Sequence, residues 1–142
     1  MLEAVSQGEP LVLLKPQTYM NRSGAALAPY LGPKFDPSRD LLVLVDEVAI
    51  PVGTFRLRGA GSAGGHNGLK SVEGTLRRQD YARLRIGVGP KPVGADLADF
   101  VLAPIPPDER ALVEDLLDPM ADAVECWLTE GIEIAMTRFN RS

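Results

Sequence analysis

The feature that most constrains the fold is a run of five apolar residues without alternation, Leu41-Leu42-Val43-Leu44-Val45, followed by Asp46-Glu47. Such a run is typical of a β-strand that is buried on both faces, in a sheet covered by helices. Polar residues at the end of such a strand face the crevice where open α/β sheets bind ligands. Asp46 is therefore a candidate site residue, and a turn or helix-capping role is the alternative.

Other segments predict strands and helices around this run. Leu2 to Ser6 and Pro10 to Leu14 predict an opening hairpin. Further strands are expected at Thr54 to Arg58, Ala82 to Val88 and Phe100 to Leu102. Helices are expected at Thr18 to Leu31 and at Leu69 to Leu76. A helical region from Pro106 to Phe139 is expected to have breaks at Asp118-Pro119 and Gly131. A chain of 142 residues suits one domain. We therefore predict an α/β fold over residues 1–142, with a mixed sheet covered by helices.

The charge distribution is uneven along the chain. The formal net charge is −4, so the whole molecule has no field that attracts nucleic acid. The middle third nevertheless collects basic residues, which favours a local phosphate-binding patch over a solvated surface. These residues are Arg56, Arg58, Lys70, Arg77, Arg78, Arg83 and Arg85.

The chain contains a single cysteine, Cys126, so an internal disulfide is impossible and a cytoplasmic compartment is expected. One cysteine and one histidine cannot build a tetrahedral zinc site, so no metal is expected. No apolar run approaches the ~20 residues needed to span a bilayer, and residues 1–8 do not resemble a signal peptide. Membrane association is not expected.

The glycine-rich segment from Gly59 to Gly68 has three interpretations. It weakly matches a dinucleotide-binding loop, although the helix should begin at Gly64. It could be a loop that only lets the backbone turn, or one that leaves room for a large ligand beside His66 and Asn67. His66 lies among small residues, where a general base, a ligand contact and a loop-fixing hydrogen bond are all open to it.

Four ordered motifs give the chain a resemblance to the bacterial peptidyl-tRNA hydrolase family over nearly its whole length. They are Lys15-Pro16-Gln17-Thr18-Tyr19-Met20-Asn21-Arg22-Ser23-Gly24, Asp46-Glu47-Val48-Ala49-Ile50-Pro51-Val52-Gly53, Gly64-Gly65-His66-Asn67-Gly68-Leu69-Lys70 and Arg83-Leu84-Arg85-Ile86-Gly87-Val88-Gly89. The resemblance implies hydrolysis of the ester between a peptide and the 3′ ribose of tRNA, by water and without a metal or other cofactor. Peptidyl-tRNA is the partner it implies.

The resemblance also implies roles for individual residues. Asp46 matches the aspartate that orients the family's general base, and His66 matches a second histidine of the site. Substrate contacts are implied for Tyr19, Asn21 and Asn67. Positions near a phosphate-binding face match Arg58, Lys70 and Arg85.

The family's Gly-Leu-Gly-Asn-Pro-Gly and Thr-Arg-His-Asn stretches have no counterpart in the sequence. The second carries the family's catalytic histidine, and the same N-terminal segment supplies a central strand and a covering helix. We therefore expect reduced hydrolysis with His66 as the base. The alternatives are a non-catalytic tRNA-binding, RNA-binding or partner-binding pseudoenzyme on the same fold, and a shortened form of a fuller gene product. We also expect an exposed sheet edge at Leu41 to Val45, which other strands or a second copy in a homodimer would cover.

Overall fold

The chain begins with a β-hairpin, as the sequence predicts. The computed structural model describes residues 2–6, 9–13, 24–25, 27–61, 66–89 and 107–140. Strand β1 (Leu2–Ser6) pairs antiparallel with β2 (Glu9–Leu13), with Leu2 opposite Leu13. Among the described strands these two form a sheet of their own.

The larger described sheet has three strands in the order β3-β5-β4. Strand β3 (Leu42–Pro51) runs parallel to β5 (Ala82–Gly89), and β4 (Phe55–Arg58) pairs with β5 antiparallel. The sheet is therefore mixed, as predicted. A single helical turn, α1 (Pro37–Asp40), leads into β3 and was not expected from the sequence.

Helices cover both faces of this sheet. Helix α2 (Asn67–Leu76) packs on one face, and α4 (Leu117–Glu130) and α5 (Ile132–Phe139) pack on the other, while α3 (Pro107–Glu114) has no buried residue. The α2 side buries Val45, Leu69, Val72 and Tyr81. The opposite side buries Leu57, Ala82, Leu84, Met120, Ala123, Cys126, Trp127 and Ala135. An α/β fold with a mixed sheet covered by helices is confirmed.

The two edges of the sheet differ. At β4, the Asn140 side chain accepts from the Leu57 backbone N–H at 2.7 Å and donates to its carbonyl at 2.8 Å, like the next strand of a ladder. At β3, none of the described strands pairs on the side away from β5. The side chain of Leu44 is 52% exposed there. The prediction that this strand is buried on both faces is therefore wrong at Leu44. Within the described sheet, β3 is also an edge strand.

Strand β3 also continues past the predicted end at Val45. Its parallel register with β5 is regular from Leu42 to Glu47 and shifts before Pro51, so a bulge follows the acidic pair. The bulged backbone lies close to β5. A Cβ at Gly87 would overlap the Pro51 carbonyl, and one at Gly89 would overlap the Val48 carbonyl. The glycines of β5 are therefore required by close approach of the two backbones.

The expected helix from Thr18 to Leu31 ends differently from the prediction. The described part of its C-terminal half contains a short 3-10 helix, Ala28–Tyr30. Pro29 lacks the N–H that an α-helical hydrogen bond needs, which explains the interruption. The rest of that helix lies outside the described residues, as does the predicted strand Phe100 to Leu102. Within the part of the chain that is described, no helix is long and apolar enough to cross a membrane.

Candidate active site

His66 and Asp46 lie in direct contact although 20 positions separate them. The imidazole Nε2 is 2.8 Å from Asp46 Oδ1. Asp46 lies on β3 at the last regular positions of the parallel ladder, and His66 is the N-cap of α2. The side chains of His66 and Asp46 are 16% and 37% exposed, so the pair is sheltered and still reaches solvent.

The second ring nitrogen of His66 has a defined role. Nδ1 accepts a hydrogen bond from the Leu69 backbone N–H at 3.2 Å, which caps α2. A backbone N–H can only donate, so Nδ1 carries no proton in this arrangement. The proton of the neutral ring therefore lies on Nε2 and is donated to Asp46. A carboxylate on one ring nitrogen with an accepting lone pair on the other is the arrangement of an oriented base.

The contact with His66 changes the pKa of the Asp46 carboxyl. The hydrogen bond from His66 is the main reason that the pKa of Asp46 lies below its usual range, against the opposing effect of partial burial. Asp46 is therefore a carboxylate at neutral pH. A carboxylate of lowered pKa is a poor proton acceptor but a good partner for a cation.

Arg83 binds the backbone at Gly61, within the glycine-rich segment that precedes His66. Its side chain is fully buried, and its guanidinium donates to the carbonyls of Gly61 at 2.9 Å, Gln79 at 2.6 Å and Tyr81 at 3.3 Å. The guanidinium carbon also lies 4.1 Å from the centre of the Tyr81 ring. Gly61 is tied a second time, because its N–H donates to the Gln79 carbonyl. Arg83 is therefore a structural anchor of the loop.

Four arginines lie on neighbouring positions of β4 and β5, and we call them the arginine cluster. Arg56 is directly opposite Arg85, and Arg58 is directly opposite Arg83. All four share the α2 face of the sheet, because Arg85 pairs with the buried Val45. Arg85 also forms an ion pair with Glu47, with Nη1 2.6 Å from Oε1. Four of the seven residues in the predicted basic patch therefore lie on one face of the sheet.

Two of the other predicted residues lie on α2, the helix that packs on this face. Lys70 is exposed on the first turn of α2, and Asn67 is the first residue of that helix. Tyr19 and Asn21 lie outside the described residues. Gly24, which ends their motif, donates its N–H to Ser71 Oγ of α2 at 2.8 Å. The motif therefore ends against the helix that His66 caps.

Sequence reasoning missed the roles of Glu47 and Arg83. Both lie inside motifs, but nothing in the spacing distinguishes a buried arginine from an exposed one. The alternation Arg83-Leu84-Arg85 was the available signal, because it places two arginines on one face of a strand. Cys126 is buried in α4 as expected, and burial raises the pKa of its thiol. No group of three potential metal ligands occurs among the described residues.

Comparison with known proteins identifies the family and agrees with this fold. The family model described as peptidyl-tRNA hydrolase matches residues 1–142. A peptidyl-tRNA hydrolase of Gemmatimonas aurantiaca is 55% identical over 134 residues, which cover 91% of this chain and 70% of that protein. A peptidyl-tRNA hydrolase of Chloroflexus aggregans is 45% identical, over 97% of this chain and 74% of that protein.

Solved structures give the same result. The crystal structure of peptidyl-tRNA hydrolase from Acinetobacter baumannii superimposes with a TM-score of 0.86 and 31% identity, covering 97% of this chain and 70% of that one. A crystal structure of a peptidyl-tRNA hydrolase with n-propanol gives the same score at 30% identity. The chain belongs to the peptidyl-tRNA hydrolase family, and its function is that of a peptidyl-tRNA hydrolase-like enzyme.

Proposed function

We propose that the chain hydrolyses the ester between peptide and tRNA at the contact of His66 and Asp46, with imidazole Nδ1 as the general base. The observation that carries this is the distance of 2.8 Å between Nε2 and Asp46 Oδ1. Asp46 holds the ring and stabilises the positive charge that forms when Nδ1 takes a proton from water. A positioned base of this kind contributes about 10²–10⁴-fold to a hydrolysis rate.

The same nitrogen also caps α2, and this limits the reaction. Nδ1 must release the Leu69 N–H before it can accept a proton from water. Loss of a helix N-cap costs roughly 1 kcal/mol, which is about a fivefold penalty on the population of competent base. The proposed base is therefore available at a modest cost.

Groups for the substrate come from the same region. Asn67 follows His66 directly at the N-terminus of α2, where the helix dipole favours negative charge. We assign Asn21 and Asn67 as amide donors to the peptide ester, and Tyr19 as a further substrate contact, on the basis of their motifs. Arg58, Lys70 and Arg85 are the proposed phosphate contacts, supported by the arginine cluster. A cytoplasmic location is proposed from the unpaired Cys126.

The experiment is a hydrolysis assay on the purified chain with an N-acetylaminoacyl-tRNA, measured as release of free tRNA. We expect turnover that His66→Ala reduces by about 10²-fold or more. Turnover that is indifferent to His66→Ala would remove His66 from the mechanism. Intact tRNA binding without any turnover would instead favour the alternative of a non-catalytic binding protein.

We also propose that a second copy of the chain covers the edge of β3. Antiparallel pairing about Leu44 would place the two exposed Leu44 side chains opposite each other and Val43 opposite Val45 of the copy. Such pairing would satisfy backbone groups on the side of β3 where none of the described strands pairs. It is also self-complementary, as a two-fold interface must be. Sedimentation at rising concentration should reveal a dimer that Leu44→Lys dissociates. A monomer at all concentrations would contradict this proposal.

A further inference from the structure

The ion pair between Glu47 and Arg85 is sheltered and short. Arg85 Nη1 lies 2.6 Å from Glu47 Oε1, and the two side chains are 17% and 24% exposed. A charge-assisted contact of this length is strong, because both groups are largely removed from solvent. Glu47 follows Asp46 directly, so adjacent residues of β3 hold the imidazole of His66 and the guanidinium of Arg85.

The surroundings of this pair are strongly positive. Each strand contributes two members of the arginine cluster, and like charges directly opposite each other on a sheet destabilise it. Arg83 is committed to backbone carbonyls. Glu47 forms an ion pair with Arg85, whereas Glu73 acts electrostatically on Arg83. The negative charge of Glu47 is therefore placed where an anionic ligand of the cluster would bind.

We propose that Glu47 is a specificity-determining residue that occupies Arg85 in the free protein and is displaced by a phosphate group of the tRNA. The proposal rests on the phosphate role assigned to Arg85 under the proposed function. A polyanion whose phosphate is not aligned with Arg85 cannot displace Glu47. Its phosphates are then repelled by the Glu47 carboxylate beside Arg85. A correctly placed phosphate replaces the carboxylate, and Glu47, already in part exposed, turns to water. Discrimination between tRNA and other polyanions then comes from repulsion by Glu47 as well as from attraction by Arg85.

The isosteric change Glu47→Gln tests the proposal, because it removes the charge and keeps the shape. Binding of tRNA and of an unrelated single-stranded RNA should both tighten, on the order of fivefold, and the RNA should gain more than the tRNA. The salt dependence for the unrelated RNA should steepen by about 0.7 in log–log slope for one additional phosphate contact. In the hydrolysis assay the gain should appear as a lower KM.

Glu114→Gln is the matched control, since it removes the same charge from an exposed position of α3 and should leave RNA affinity unchanged. Weaker tRNA binding by Glu47→Gln would overturn the proposal, because it would make Glu47 a support for Arg85. If Glu47→Gln does not fold, Glu47→Asp shortens the side chain and should give a smaller gain in the same direction.

Arg85→Met separates this inference from the function on which it rests. If Arg85→Met leaves tRNA affinity unchanged, the phosphate role of Arg85 fails, and this inference fails with it. If Arg85→Met weakens binding and Glu47→Gln does not strengthen it, only the inference fails. In the double variant the gain from Glu47→Gln should disappear, because a competitor has no effect without its target.

Discussion

His66 Nε2 donates to Asp46 Oδ1 at 2.8 Å while His66 Nδ1 accepts from the Leu69 backbone N–H. One imidazole therefore joins the end of the regular β3–β5 ladder to the start of α2. The ring has one tautomer in this arrangement, with its proton directed at the carboxylate. The same two bonds that fix the ring also define which nitrogen can act as a base.

The linkage between Asp46 and His66 predicts a specific dependence of stability on pH. The pKa of Asp46 is lowered in the folded state, so the pair contributes to stability above the unfolded value of ~3.9 and loses that contribution as the pH falls through the folded value. Asp46→Asn should lower the free energy of unfolding at pH 6 and progressively less below pH 4. Denaturant unfolding of the unchanged chain and of Asp46→Asn between about pH 2.5 and 7 measures this difference, because that range spans the ordinary aspartate pKa of ~3.9. A difference that is constant across the range would mean that His66 does not lower the pKa of Asp46.

Arg83 should be important for stability although it lies outside the reacting groups. Arg83→Met removes the hydrogen bonds from the guanidinium to the carbonyls of Gly61, Gln79 and Tyr81, at a cost on the order of 1 kcal/mol for each bond, while the Gln79 carbonyl keeps the Gly61 N–H as a donor. Thermal unfolding gives the comparison. The control is Arg78→Met, whose ion pairs with Asp36 and Asp80 lie at the surface and should contribute far less to stability. Equal losses for the two variants would show that Arg83 does not anchor the loop.

The proposed phosphate contacts predict a measurable change in salt dependence. Replacing Arg58, Lys70 and Arg85 together by alanine should weaken tRNA binding and reduce the log–log salt slope by about 2, at about 0.7 for each phosphate. Filter binding at several salt concentrations provides the measurement. A control with the same charge change replaces exposed residues elsewhere, Lys34, Arg39 and Arg110. If the control weakens binding equally, overall charge and not this face accounts for the affinity.

The sequence predicted the layers of the fold better than the details of the site. The run at Leu41 to Val45 identified a strand of the sheet and placed Asp46 at the candidate site, because a short continuous apolar run is typical of a strand in a covered sheet. The apolar pattern by itself predicts burial on both faces, and the exposure of Leu44 shows that the pattern carries no information on the cover of each position. The pairing of His66 with Asp46 depends on the distance between the start of α2 and Asp46 on β3. The spacing of residues along the sequence carries no information on that distance.

His66 also explains why the start of α2 was predicted two residues late. Serine, threonine, aspartate and asparagine are the usual N-cap residues, and none directly precedes Asn67. Here an imidazole nitrogen accepts from the N–H three residues on, as a serine oxygen would. Propensity rules do not anticipate an imidazole as the N-cap of a helix.

The role of His66 as a base, beyond its capping of α2, is tested most directly by the rate of peptidyl-tRNA hydrolysis in His66→Asn. Asparagine is a strong N-cap, so the helix start should be retained. The loss of stability should not exceed that of Asp46→Asn, which breaks the same hydrogen bond between His66 and Asp46. The amide cannot take a proton from water, so the single-turnover rate should fall by about 10²-fold or more. Substantial hydrolysis by a stable His66→Asn protein would contradict the account.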